Sequence, residues 1–285
     1  MLPDTSTHRV ALVTGANQGL GLALVRGLRR TLGEEGIVYL AARNVDRGEE
    51  ACALLRKEGL APEFIQMDVT DAASVRAAAE MVRARHDGID IVIQNAAARI
   101  TKEVPQSDQV AGFVDTNNHG TLRVLQSFVP LLRDNARLIV VASSFGSLRN
   151  LDARLHARFD APGLTLEGIE RSMDDYVAAV RDGSAKEAGW PDWINVPSKI
   201  GQVASVRLLA REREADFRRR GILVNAACPG LVDTEASRPW FADMSKAATP
   251  DEAAKDVVWL ATLPSGTREP YGVLVRHRKA QPWVS

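Results

Sequence analysis

The sequence predicts an α/β fold built on one parallel sheet with helices on both faces. Three observations predict it. Apolar runs of strand length alternate with segments of helical periodicity from residue 9 to residue 142. The runs are apolar almost throughout, which marks strands buried on both faces. The first run also opens onto Gly15, Gly19 and Gly21 and then a helix rich in leucine and valine. Strand, glycine turn and helix form a phosphate-binding arrangement. The glycines allow a tight turn and a close backbone approach, and the free N–H groups at the helix start face an anion.

The elements follow in order. The first strand spans 9–14 and the first helix 18–32, and a second buried strand covers 36–42. A polar, surface-lying helix is expected at 47–58, and a third strand at 62–67 ends at Asp68. Thr70 and Asp71 cap a helix at 72–86. A fourth strand at 89–93 leads into Gln94, Asn95, Ala96 and Ala97. One helix at 107–133 carries Asn117 and Gly120, and a fifth strand at 136–142 ends at Ser143 and Ser144. Residues 147–190 break the rhythm: charged side chains are frequent, and the apolar period is helical at Leu164, Ile169, Met173 and Val177. A helix at 195–217 follows, with Arg211 to Glu214 as its solvated face. A sixth strand at 221–227, a helix at 250–262 and a final strand at 270–275 complete the pattern. This is a Rossmann-type, doubly wound parallel sheet with a helical insertion before the helix at 195. Residues 1–8 read as a short tail.

The composition excludes several classes. The chain of 285 residues has no internal repeat or low-complexity linker, so 1–285 is expected to form one domain. Lys+Arg and Asp+Glu are each 36, which gives no electrostatic case for nucleic acid or a membrane surface. No apolar run reaches membrane-spanning length, and the N-terminal residues lack a secretory apolar core. Two cysteines, Cys52 and Cys228, make neither a disulfide framework nor a metal cluster, and the histidines show no metal spacing. A cytoplasmic, reducing setting is expected.

With these motifs in place, the sequence resembles the short-chain dehydrogenase/reductase family over nearly its whole length, and within it the carbonyl reductases. Gly15, Asn17, Gln18, Gly19, Leu20 and Gly21 match the glycine motif. Asp68 and Val69 stand where the family contacts adenine. Asn95, Ala96 and Ala97 stand for its Asn-Ala-Gly, with alanine for the glycine. Asn117 and Gly120 fit its structural asparagine motif, Ser144 its active-site serine, and Pro229, Gly230, Val232 and Thr234 the motif beside the nicotinamide. The resemblance implies NADP(H) as cofactor. NAD users of the family carry an acid after the second strand; here Ala41, Ala42, Arg43 and Asn44 hold none, and Arg43 suits a 2′-phosphate, with Gln18 adding a neutral contact. Residues 148–190 resemble the carbonyl-reductase insertion, which covers the face other members use to dimerise and so implies a monomer.

One position departs from the family. Its catalytic helix carries tyrosine four residues before lysine, whereas here Asn195 stands four residues before Lys199. An asparagine amide donates a hydrogen bond but releases no proton at neutral pH. Among the three tyrosines, Tyr39 and Tyr271 lie in strands, and only Tyr176 in the insertion is placed to stand in; packing is its plainer role. His119 falls inside the asparagine motif, either near the site or simply packed. Trp190 and Trp193 flank the catalytic-position helix, as an aromatic wall for a substrate or as pins for the insertion. Trp240 and Phe241 lie in the loop where the family binds substrate. The expected catalytic group is Ser144, Asn195, Lys199 and Asn117, with Lys199 also on the cofactor ribose. The expected activity is NADPH-dependent reduction of a bulky aromatic ketone. The missing tyrosine resembles the tailoring ketoreductases of angucyclinone-type polyketides from actinomycetes. A non-catalytic NADP-binding sensor or scaffold is the alternative from another class.

Overall fold

The computed structural model describes residues 8–284; most of the expected N-terminal tail lies outside that range. The glycine-turn unit comes first, β1 (Val10–Thr14) and α1 (Gly19–Leu32), followed by β2 (Ile37–Ala42), α2 (Val45–Lys57), β3 (Glu63–Gln66), α3 (Ala72–His86) and β4 (Ile89–Gln94). Next come α4 (Gln106–Val114), a π turn at Asp115–His119, α5 (Gly120–Phe128) and β5 (Leu132–Val141). The insertion holds α6 (Ala157–Asp160) and α7 (Leu166–Asp182). The last third contains α8 (Asn195–Glu212), α9 (Glu214–Arg220), β6 (Leu223–Ala227), α10 (Pro250–Ala261), β7 (Leu274–Arg276) and β8 (Lys279–Gln281).

The strands form one sheet in the order β3-β2-β1-β4-β5-β6-β7-β8, with only β7 and β8 antiparallel. Period-two alternation divides its side chains between two cores. Val10 and Leu12 face the core beneath α3, α5 and α8, whereas Ala11 and Val13 face the core beneath α1, α2 and α10. The strand order reverses between β1 and β4, and the parallel strands point their carboxyl ends at one edge. That crevice is where an open α/β sheet binds ligands.

Several boundaries differ from expectation, and one strand was not expected. The helix at 107–133 is interrupted by the π turn, which holds Asn117 and Asn118 buried, and ends at Phe128. The helix at 195–217 breaks at Arg213, and α9 starts anew. Residues 270–273 are not strand: the Tyr271 hydroxyl donates to Ala210 O at 2.6 Å, which docks this stretch on α8. β8 was not foreseen at all. It returns through His277 and Arg278, both at positive φ, without the Asn-Gly pair that signals such a turn.

Candidate active site

The loops after β1, β4, β5 and β6 gather at the carboxyl edge. Gly15, at φ +60°, lets the first loop press on the fourth; a Cβ there would lie 2.7 Å from Ala96 Cα. Thr14 fastens the two loops. Its Oγ1 accepts from the N–H groups of Asn95 and Ala96 at 2.9 Å each and donates to Gln94 Oε1 at 2.5 Å. The Asn95 amide donates to the carbonyls of Thr14 (3.0 Å) and Gly15 (3.2 Å). Asn95 therefore shapes the glycine turn. Gly21 is closed in, because a Cβ would meet Gly15 O at 2.4 Å.

The start of α1 fits an anion. Its N-cap, Gln18, is extended and makes no side-chain cap, and the first turn carries no acid. By contrast α2, α3 and α10 are capped by Asn44, Asp71 and Thr249. Behind the glycine turn, the open N–H end of α1 suits a group of negative charge. Asn17, Gln18, Gly19 and Leu20 are all solvent-accessible there, and the nearest atom above Gly19 is the Thr234 methyl, 3.6 Å from a Cβ position. Pro229, Gly230 and Val232 lead to Thr234; Cys228 N donates to Val275 O at 2.8 Å, and Val232 bridges Ala248. Arg43 is exposed at the end of β2 and makes no ion pair among the described residues. The Asp68 carboxylate accepts from Thr70 N and Oγ1 at 2.9 and 2.8 Å. Val69 packs on Gly120, where a Cβ would come within 3.0 Å of its methyl. Ala97 is exposed beyond Ala96.

The polar floor lies between β5 and α8. Asn117 is buried; its Oδ1 accepts from Ala98 N at 2.8 Å and its Nδ2 donates to Ser198 Oγ at 3.3 Å. It ties the loop after β4 to the helix carrying Asn195 and Lys199. Lys199 Nζ donates to Gln202 Oε1 at 2.7 Å and to Val141 O at 3.4 Å. It has no carboxylate partner among the described residues, and burial of the ammonium pushes it down to about 8. Ser144 and Asn195 are both partly exposed, and their side chains make no hydrogen bond among the described residues. They are free to donate to a ligand.

The aromatic residues divide into two groups. Trp190 is buried with its ring 4.8 Å from that of Tyr176 and 6.1 Å from Phe159, so it pins the insertion and forms no substrate wall. Tyr176 is wholly buried, its hydroxyl without a partner among the described residues and held well above the usual phenol range by desolvation; it is core and no substitute acid. Trp193 instead packs 5.2 Å from Phe145 and 5.6 Å from Trp240. These three rings join the loop after β5, the entry to α8 and the loop after β6. Phe241 follows as a partly exposed neighbour. His119 faces the insertion, with Nε2 3.0 Å from Asp174 Oδ1 on α7. Sequence reasoning missed Phe145, which stands next to Ser144, and Gln202, whose only signal is its position one helical turn after Lys199.

An open α/β sheet with an uncapped helix at the switch point and a lysine-centred polar floor defines a nucleotide-binding protein of the dehydrogenase type. The chain belongs to the short-chain dehydrogenase family, whose model, described as short chain dehydrogenase, matches residues 9–153. It is 35% identical over 283 residues to carbonyl reductase (NADPH) 1 of Mus musculus, covering 98% of this chain and 100% of that protein. The human counterpart is 34% identical over 283 residues, again with 98% and 100% coverage. Among solved structures it resembles salutaridine reductase from Papaver somniferum, with TM-score 0.79, 25% identity, and 93% and 99% of the two chains covered. Menthone neomenthol reductase from Mentha piperita gives TM-score 0.75 and 26% identity, with 94% and 98% covered.

Proposed function

We propose that the protein is an NADPH-dependent ketoreductase acting on a bulky aromatic ketone, an intermediate of the angucyclinone polyketide type. The observation that carries this reading is the row of Phe145, Trp193 and Trp240 beside the unpaired side chains of Ser144 and Asn195. Apolar aromatic walls with a few convergent polar groups suit a large flat ligand.

The uncapped α1 would hold the cofactor pyrophosphate, Arg43 its 2′-phosphate, and Lys199 its ribose. NADPH is also the cofactor in the names of the carbonyl reductase relatives. When bound, it supplies the hydride. Ser144 and the Asn195 amide donate to the ketone oxygen as negative charge develops, and Lys199 adds positive charge nearby. Asn117 keeps α8 in place beneath them. Asn195 has no proton to give, so the proton comes from water or from a phenol beside the ketone. The insertion packs against α4 and α8, which favours a monomer; a cytoplasmic setting belongs to the same reading.

The test is to mix the pure protein with NADPH and a panel of aromatic ketones and to follow absorbance of the reduced nicotinamide. Oxidation with at least one hydroxyaryl ketone is expected. NADPH binding without turnover of any ketone would instead identify a sensor. A substrate analogue with the neighbouring hydroxyl blocked is expected to react far more slowly, and equal rates would remove the phenol from the mechanism. Asn195→Ala is expected to keep substantial turnover, because no proton passes through Asn195 and Ser144 still donates to the ketone oxygen; a loss of about 10²–10⁴-fold, the usual cost of removing a general acid, would contradict this.

A further inference from the structure

Gln202 has no part in the roles assigned above, yet it is buried and touches Lys199 directly. The two residues lie three apart on α8 and so share a face. The Gln202 amide oxygen accepts from Lys199 Nζ at 2.7 Å. Its nitrogen donates to Asn117 O at 3.0 Å and to Thr121 Oγ1 at 3.2 Å. The partners fix the amide's orientation: an ammonium only donates and a backbone carbonyl only accepts. Thr121 Oγ1 in turn donates to Asn117 O at 2.6 Å and accepts from Gln94 Nε2 at 3.4 Å, while Gln94 receives Thr14. A continuous buried chain therefore runs from the glycine loop through Gln94, Thr121 and Gln202 to Lys199. Gln94 and Gln202 each supply this chain with both a donor and an acceptor.

We propose that Gln202 is the positioning residue of Lys199: it fixes the ammonium in the floor of the cleft and, as a neutral acceptor, keeps it charged. An amide accepts a hydrogen bond but takes no proton near neutral pH, and neither does Val141 O. Lys199 thus retains its charge while the ketone is reduced, and serves by electrostatics rather than as an acid. This rests on the ketoreductase reading for its catalytic meaning, but the Gln202–Lys199 coupling belongs to the protein alone. Besides the Val141 carbonyl, one titratable group on another segment bears on Lys199: the Cys228 thiol just after β6, whose thiolate form would favour the ammonium.

The experiment measures Lys199 in the cofactor-free protein. Competitive acetylation with acetic anhydride across pH 6–11, read by peptide mass spectrometry, gives the titration midpoint of that lysine. Gln202→Leu removes the acceptor and is expected to lower the midpoint by about one pH unit or more. Gln202→Glu places a carboxylate against the ammonium and is expected to raise it. In parallel, the pH at which NADPH affinity halves, followed by nicotinamide fluorescence, is expected to move in the same two directions. A midpoint unmoved in both variants, or moved the same way in both, overturns the proposal. If Gln202→Leu does not fold, Gln202→Glu decides alone: an upward shift supports the coupling and no shift overturns it. Opposite midpoint shifts in a protein that fails to bind NADPH would uphold the role of Gln202 and defeat the ketoreductase reading.

Discussion

Lys199 is a largely enclosed cation with no carboxylate partner among the described residues, and enclosure acts on folding as well as on binding. In the unfolded chain a lysine titrates near pH 10.4, whereas here burial brings it down to about 8. Between those values the unfolded state binds more protons, so the stability owed to this group rises with pH. Binding of an anionic cofactor runs the opposite way, since the ammonium is lost over the same range. Lys199→Met abolishes the titration. Wild type is expected to gain stability relative to that variant in urea unfolding as pH rises from 7 to 10, and a difference independent of pH would contradict the burial of charge. At the outer rim Arg43 is exposed and has no ion-pair partner among the described residues. Arg43→Ala is expected to raise the NADPH dissociation constant about tenfold or more, with NADH affinity nearly unchanged, because a charge-assisted bond to phosphate is worth ~1.5–3 kcal/mol. Comparable losses for both nucleotides would show that Arg43 serves adenine stacking alone. Residues such as Ser144, Asn195 and Lys199 were legible because their motifs are contiguous. Gln202 and Phe145 were not, since their significance lies in contacts between elements that no local spacing records.

Among the elements, α1 lacks the side-chain cap that closes α2, α3, α7 and α10, as do α4 and α8, but α1 alone of these three follows a glycine turn. Thr249 and Glu252 close a full capping box on α10, with Thr249 Oγ1 accepting from Glu252 N at 3.2 Å. Gln18 sits in the extended N-cap conformation of α1 yet leaves its first N–H groups open. Gln18→Asp is expected to stabilise the cofactor-free protein by about 1 kcal/mol through a new cap, and to weaken NADPH binding by placing a carboxylate where pyrophosphate would lie. Thermal unfolding and fluorescence titration check the two halves; a rise in NADPH affinity would show that the phosphate lies elsewhere. The strands and most helices were legible because each apolar run is long and each helix keeps its period. The interruption after Val114 was hidden, as no proline marks it. What fixes it is a buried pair of asparagines, whose Nδ2 groups reach Ser198 Oγ (3.3 Å, from Asn117) and Ser198 O (2.9 Å, from Asn118) across the core.

For the molecule as a whole, the insertion is the feature that distinguishes the two halves of the crevice. α7 lies against α4 and α8, and a single-chain mass by light scattering at micromolar concentration is expected; a stable dimer would require another contact face. The insertion is itself held by residues far along the chain. Leu148 N donates to Trp283 O at 2.9 Å, Ser147 Oγ donates to the same carbonyl at 2.8 Å, and the Trp283 indole donates to Asp160 Oδ2 at 2.9 Å. Arg207 of α8 covers the indole at 4.9 Å. Trp283→Ala is expected to cost about 3–5 kcal/mol and to open residues 147–165 to limited proteolysis; unchanged cleavage there would show that the insertion stands without the clasp.

That clasp also sets an order of events at the ribosome. Asp160 leaves the exit tunnel 123 residues before Trp283, which at ~5–20 residues per second is a delay of roughly 6–25 s. During that interval β1 to β5 are already available to pair, while the base of the insertion has nothing to close it. The nucleotide half is therefore made ready first, and the substrate half is bolted down by a tryptophan that arrives late in translation.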